Sequence, residues 1–139
     1  MKRIYAAACT YMALGLASGL YYRELTKLND FTGDTQLGLV HTHLLALGTL
    51  FFLVVLALDK LFTLSAGKLF NWFFWVYNLG LALTVATMTI RGTLTVLGAT
   101  TGHAITGVAG LGHIVLTVGL ILFFVNLGKR LSTSSRAKE

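Results

Sequence analysis

Residues 37–58 read LGLVHTHLLALGTLFFLVVLAL, uncharged from end to end, with His41 and His43 two positions apart near the start. A bilayer crossing needs roughly 20 predominantly apolar residues, and this run has that length and character. An α-helix turns about 100° per residue, so His41 and His43 leave opposite faces, roughly 200° round. Imidazole is expensive in hydrocarbon unless it is bonded, so both side chains are candidates for function from the outset.

The rest of the chain has the same character. Of 139 residues 55% are hydrophobic and only 12% charged, against about a quarter charged in a soluble domain. The charges cluster and leave four uncharged stretches: Ile4 to Tyr22, Leu37 to Leu58, Leu69 to Ile90 and Thr93 to Gly128. In the fourth, Gly98-Ala99-Thr100-Thr101-Gly102 marks a loop at the front end. The expected fold is therefore all-α, a multi-pass membrane protein of four transmembrane helices. Lys2-Arg3, the following apolar run and Ala17-Ser18-Gly19 also fit a cleaved signal peptide. Retention is favoured, because the run continues to Tyr22 without a polar cleavage region. Gly15 and Gly19 also form a small-xxx-small packing face. The single cysteine, Cys9, allows neither an intramolecular disulfide nor a cysteine-based metal site.

The net charge of +6 is distributed as membrane topology, not as a nucleic-acid surface. Lys2, Arg3, Lys60, Lys68, Lys129, Arg130, Arg136 and Lys138 fall on one side of a four-crossing arrangement; Arg23, Lys27 and Arg91 fall on the other. The positive-inside rule places both termini and the second loop in the cytoplasm.

Along the chain, the first helix is expected over about Lys2 to Arg23. A turn-rich loop with Asn29-Asp30 and Thr32-Gly33-Asp34 follows. The second helix starts near Thr35 to Leu37 and returns to Asp59-Lys60. Phe70, Trp72, Phe73, Phe74, Trp75 and Tyr77 read as an interfacial aromatic belt at the start of the third helix. That helix ends at Arg91-Gly92, and the fourth runs from roughly Thr101 to Leu127. Residues 1–131 form the transmembrane domain and 132–139 a disordered cytoplasmic tail. Short connections and alternating direction give an up-down-up-down four-helix bundle, and nothing acidic is expected inside its helices. Asn71 and Asn78, one heptad apart, read as interhelical hydrogen-bonding positions.

All four histidines, His41, His43, His103 and His113, lie in the second or fourth helix or at its edge, gathered in the outer half of the membrane. Small residues surround them: Gly107, Ala109, Gly110 and Gly112 near His113, and Ala46 and Gly48 after His43. Such residues suit either helix packing or the close approach of a porphyrin face. Arg23, Lys27 and Arg91 lie at outer helix ends, placed to pair with propionates or to anchor headgroups. Tyr21, Tyr22, Thr42 and Thr106 are available for supporting hydrogen bonds. His103 reads as an interfacial histidine, and His113 as a ligand or as a core histidine bonded to a neighbouring carbonyl.

The stretch Val40-His41-Thr42-His43-Leu44-Leu45-Ala46-Leu47-Gly48 resembles the H-x-H-x-x-x-x-G element of haem–copper oxidase catalytic subunits and of their small haem-binding relatives. Over nearly its full length the chain also resembles a bacterial family of four-helix membrane proteins of unknown function. Tyr22-Arg23-Glu24, Phe31-Thr32-Gly33-Asp34, the His-Thr-His segment and Gly107 to His113 carry that likeness. The oxidase comparison implies an H-x-H pair facing different haems on either side of one helix. It also implies that a homotrimer would supply the oxidase complement of twelve helices. One such pair per chain departs from the oxidase pattern, so proton-pumping oxygen reduction is not implied.

The function expected from these residues is a membrane b-type haem protein for electron transfer or for binding a diatomic gas, oxygen or nitric oxide. His41 and His43 are its expected ligands, His113 a third candidate, and Arg23 and Arg91 its cofactor-binding cations. Whether it is an enzyme, and which redox partner it meets, the sequence leaves open. One rival is a copper or other transition-metal site formed by His43, His113 and His103, since imidazole suits copper and zinc. The other is a membrane scaffold whose histidines only bond across helices.

Overall fold

The computed structural model describes residues 1–99 and 103–136, without the side chains of 103–106, 109 and 133–136. Among the described residues the chain is all-helical, and four helices are long and apolar enough to cross a membrane. We label them α1 (Lys2–Leu28), α2 (Leu37–Phe62), α3 (Lys68–Val96) and α4 (His103–Arg136).

All four helices outrun their sequence-based ends. Past Arg23, the Thr26 hydroxyl donates to the Tyr22 carbonyl (2.9 Å) and the Asn29 amide to the Leu25 carbonyl (2.8 Å), which carries α1 to Leu28. Helix α3 does not stop at Arg91-Gly92 but at Val96. There the Gly98 N–H reaches the Thr95 carbonyl and the Ala99 N–H the Leu94 carbonyl, a Schellman closure with Gly98 at φ +71°. Helix α4 continues through Arg136, so residues 132–136 of the expected tail are helical. Residues 137–139 lie outside the described part.

Helix α2 also overruns its expected end and takes an acid inside it. Asp59 is buried, and its carboxylate accepts the Ser65 N–H (2.7 Å) and hydroxyl (3.1 Å). It lies 3.7 Å from the amino group of Met1. The chain then turns through Thr63 in the left-handed region. A charge that sequence reading places at a helix end is thus an internal one, satisfied by the loop it caps.

The helices do not close into a ring. Helix α1 packs along α2, with Gly15 against Leu45 and Gly19 against His41, as its small face predicts. Helix α3 packs on α1, α2 and α4, but no contact joins α1 to α4 among the described residues. The α3–α4 seam is closest at Gly80 against Leu116, Gly112 against Thr84 and Gly119 against Tyr77. The result is a three-helix triangle with α4 appended to α3.

One half of the molecule is filled by aromatic rings. Phe51 stacks on Tyr77 at 4.5 Å and meets Phe123 edge-on at 5.4 Å, which joins α2, α3 and α4. Tyr11 of α1 stacks on Phe52 at 5.8 Å. The expected aromatic belt resolves into two sets. Trp72 and Trp75 are exposed, whereas Phe70, Phe73, Phe74 and Tyr77 are buried. Those four fall at the i, i+3, i+4, i+7 spacing of a core stripe, and that periodicity outweighs composition. Asn71 and Asn78 behave as expected: Arg3 donates to the Asn71 side-chain oxygen (2.7 Å) and the Tyr11 hydroxyl to that of Asn78 (2.6 Å).

Candidate histidine site

His41 and His43 lie two residues apart in a regular stretch of α2, about half a turn round the helix. His41 faces α1: a Cβ placed on Gly19 would lie 3.7 Å from its own Cβ, an ordinary van der Waals contact. Its Nδ1 is buried without a hydrogen-bond partner, and its Nε2 lies 3.5 Å from the Thr42 hydroxyl. His43, about 200° further round the helix, is half-buried. Its Nδ1 lies 2.9 Å from the Leu39 carbonyl. A ring nitrogen facing a carbonyl must carry the proton, so Nδ1 donates and Nε2 keeps the lone pair.

Directly after His43 the helix widens. Residues Leu44–Leu50 form a π-helical turn in which the Phe51 N–H reaches back to the Ala46 carbonyl. Two contacts hold this turn. Gly48 has no Cβ, and any would collide with the Tyr11 ring. The Tyr77 hydroxyl donates to the Leu47 carbonyl at 2.8 Å. Single π turns occur disproportionately at functional sites. No sequence signal marked this one; Gly48 read as a small residue beside a histidine.

Helix register decides which of the other candidates share this level. On α3, Gly92 lies against Leu37 and Tyr77 reaches Leu47, so His43 falls between them. Thr84, in the same span of α3, meets Gly112 of α4. His43 and His113 therefore lie at one level on two helices that both flank α3. In that half α2 and α4 do not touch among the described residues. His113 is exposed, and its carbonyl accepts the Thr117 hydroxyl (2.8 Å). His103 and Thr106 lie outside the described side chains. Among the described residues no three His, Cys, Asp or Glu side chains are grouped to hold a metal ion.

The cationic candidates share the histidine end. Tyr21 of α1 and Thr93 of α3 join their hydroxyls at 3.1 Å, with Arg23 two residues past the first and Arg91 two before the second. Arg23 is exposed beside Glu24 (3.8 Å), and Arg91 is half-buried. Of the glycines read as a close-approach face on α4, Gly112 is engaged with α3, whereas Gly107 and Gly110 look into open space. Beneath Tyr21, an apolar cavity of about 290 Å³ lies between the helices, lined by Leu14, Ala17, Ser18, Val40, Leu44, Val85 and Thr89 among others.

No curated protein and no solved structure matches the chain, so no similarity to haem–copper oxidases is shown. A family model described as "Protein of unknown function (DUF2871)" matches residues 1–130, and the chain belongs to that family.

Proposed function

We propose that the protein is a b-type haem-binding protein of the bacterial cytoplasmic membrane, serving electron transfer or the binding of oxygen or nitric oxide. His41 and His43 are its ligands, His113 is a third candidate, and Arg23 and Arg91 face the propionates. The observation that carries this reading is the bond from His43 Nδ1 to the Leu39 carbonyl. Metal-binding histidines commonly donate their other ring nitrogen to a carbonyl, which fixes the tautomer and raises the basicity of the ligating nitrogen. The buried, unpartnered Nδ1 of His41 is a second polar atom in want of a partner. A donor set of imidazoles with nearby cations fits an iron porphyrin. When bound, the haem supplies one-electron chemistry if both axial positions are filled, and a gas-binding position if one is open.

The two imidazoles point to different sides of α2, so one chain does not bring both to one iron. In a homotrimer, His41 of one subunit and His43 of the next would grip a haem at each interface. A second reading rests on the shared level of His43 and His113. It places a haem or a copper ion in the cleft between α2 and α4 of a single chain. An optical spectrum of the purified protein tests the haem itself. Two imidazoles give a Soret band with sharp α and β bands on reduction. A preparation that stays colourless after haem addition ends the proposal. A coloured protein that keeps its haem in His41→Ala but loses it in His43→Ala and in His113→Ala favours the cleft.

A further inference from the structure

The buried positions of α2 repeat at Val40, Leu44, Gly48 and Phe52, three consecutive steps of four. In a regular α-helix each such step drifts by about 40°, so the stripe would wander by about 120° over this distance. It does not wander, because the π turn at Leu44–Leu50 takes up the drift. The turn therefore sets the angle between the two halves of α2. The half that follows is fixed by Phe51 stacked on Tyr77 and Phe52 stacked on Tyr11. The half that precedes it carries His41 and His43. Were the turn to relax to α-helix, one residue of rotation, about 100°, would be added between them. His41 would then leave Gly19, and His43 would leave its own side.

Only one side chain from another helix donates a hydrogen bond to a carbonyl of this turn among the described residues: the Tyr77 hydroxyl on Leu47. We propose that this hydroxyl is a positioning group, which holds the wide turn and so fixes the directions in which His41 and His43 leave α2. The inference deepens the haem reading and rests on it for the role of the two imidazoles. The latch itself stands on the geometry of the turn.

Tyr77→Phe in the full-length protein in detergent is the test, because it keeps the ring and its stack on Phe51 while removing the donor. Tyr11→Phe is the control: it removes another hydroxyl of the aromatic half, bonded to Asn78 and not to the turn. Two readouts use protein without haem. They are amide hydrogen exchange over residues 47–52, and the rates at which diethyl pyrocarbonate modifies His41 and His43, read by mass spectrometry. In Tyr77→Phe we expect exchange in that segment to quicken about fivefold, the factor of one lost hydrogen bond. The ratio of His41 to His43 modification should change as well, with exchange in α4 unaltered. Tyr11→Phe should match the wild type on both counts. If Tyr77→Phe leaves the modification ratio unchanged, or if Tyr11→Phe shifts it equally, the latch is overturned. In the haem-loaded protein, Tyr77→Phe should also alter the low-spin electron paramagnetic resonance g-values, which report the angle between the imidazole planes. A wild type that takes no haem defeats the haem reading, while the two haem-free readouts still decide the latch.

Discussion

The two halves of this molecule are built on different principles. In the aromatic half, Phe51, Phe52, Tyr77 and Phe123 link α2 to α3 and α4, Tyr11 brings in α1, and every one of these rings but the half-buried Phe51 is buried. In the histidine half, α4 leans on α3 alone, Gly107 and Gly110 face open space, and Val108, Leu111, His113 and Ile114 are exposed. Without a hydrophobic drive between helices in lipid, association depends on close packing and hydrogen bonds. The aromatic half supplies both within one chain. The histidine half packs α4 on α3 only, and the His41 Nδ1 is buried there without a hydrogen-bond partner. The aromatic half ties all four helices together, and the histidine half leaves one face of α4 open.

The sharpest test of that division is to remove packing from each half. Phe52 is fully buried and meets Tyr11, Phe74 and Tyr77. Phe52→Ala should destabilise the protein by about 3–5 kcal/mol, the usual range for a buried aromatic truncated in a core. Leu111→Ala, exposed in the histidine half, should stay within about 0.5 kcal/mol. Thermal unfolding in detergent measures both. Equal losses would mean that the histidine half is packed by something beyond this chain.

A smaller effect is expected at the seam that the halves share. A Cβ on Gly112 would lie 2.7 Å from the Thr84 hydroxyl oxygen and 2.9 Å from its backbone nitrogen. Gly112→Leu should therefore push α4 off α3, at about 1–3 kcal/mol for forced overpacking. Faster proteolysis in the 97–103 connection would report the loosened helix, and unchanged cleavage would show that α4 is held elsewhere.

Sequence reading reached the number of helices and the placement of the small face of α1, because both follow from length, apolarity and glycine spacing. It misplaced the aromatic residues of α3: a cluster of Phe and Trp near a charge looks interfacial by composition, and only the spacing of Phe70, Phe73, Phe74 and Tyr77 betrays the core. The wide turn of α2 was hidden for a different reason. No proline marks it, and its stabilisers, Tyr11 and Tyr77, sit on other helices far along the chain. The site was legible as residue types, with His41 and His43 on separate faces of α2. The common level of His43 and His113 needed the register of three helices, which no local pattern encodes.

His43 and His41 separate folding from binding at smaller energies. His43→Ala removes a half-buried ring whose bond returns to its own helix, so its stability effect should be about 1 kcal/mol. If haem is bound, that variant should lose it entirely. Absorbance at the Soret band against total protein gives the ratio, and full retention in both His41→Ala and His43→Ala would remove them as ligands.

The smallest effect on the fold should come from Gly110→Leu, two residues from the disruptive Gly112→Leu. Among the described residues, nothing beyond its own stretch of helix lies within 4 Å of a Cβ at Gly110, so the new side chain meets no other helix there. Replacing a mid-helix glycine also removes a backbone-entropy penalty of roughly 0.5–1 kcal/mol, so unfolding should be unchanged or slightly harder. The same substitution is informative about assembly. In the proposed homotrimer, exposed surface in the histidine half is where a second chain would come close, and a leucine there would hold it off. Native mass spectrometry should then show Gly110→Leu as a folded monomer beside a trimeric wild type. If Gly110→Leu assembles like the wild type, this face of α4 meets lipid, and any haem held between subunits must lie against α1 and α2 instead.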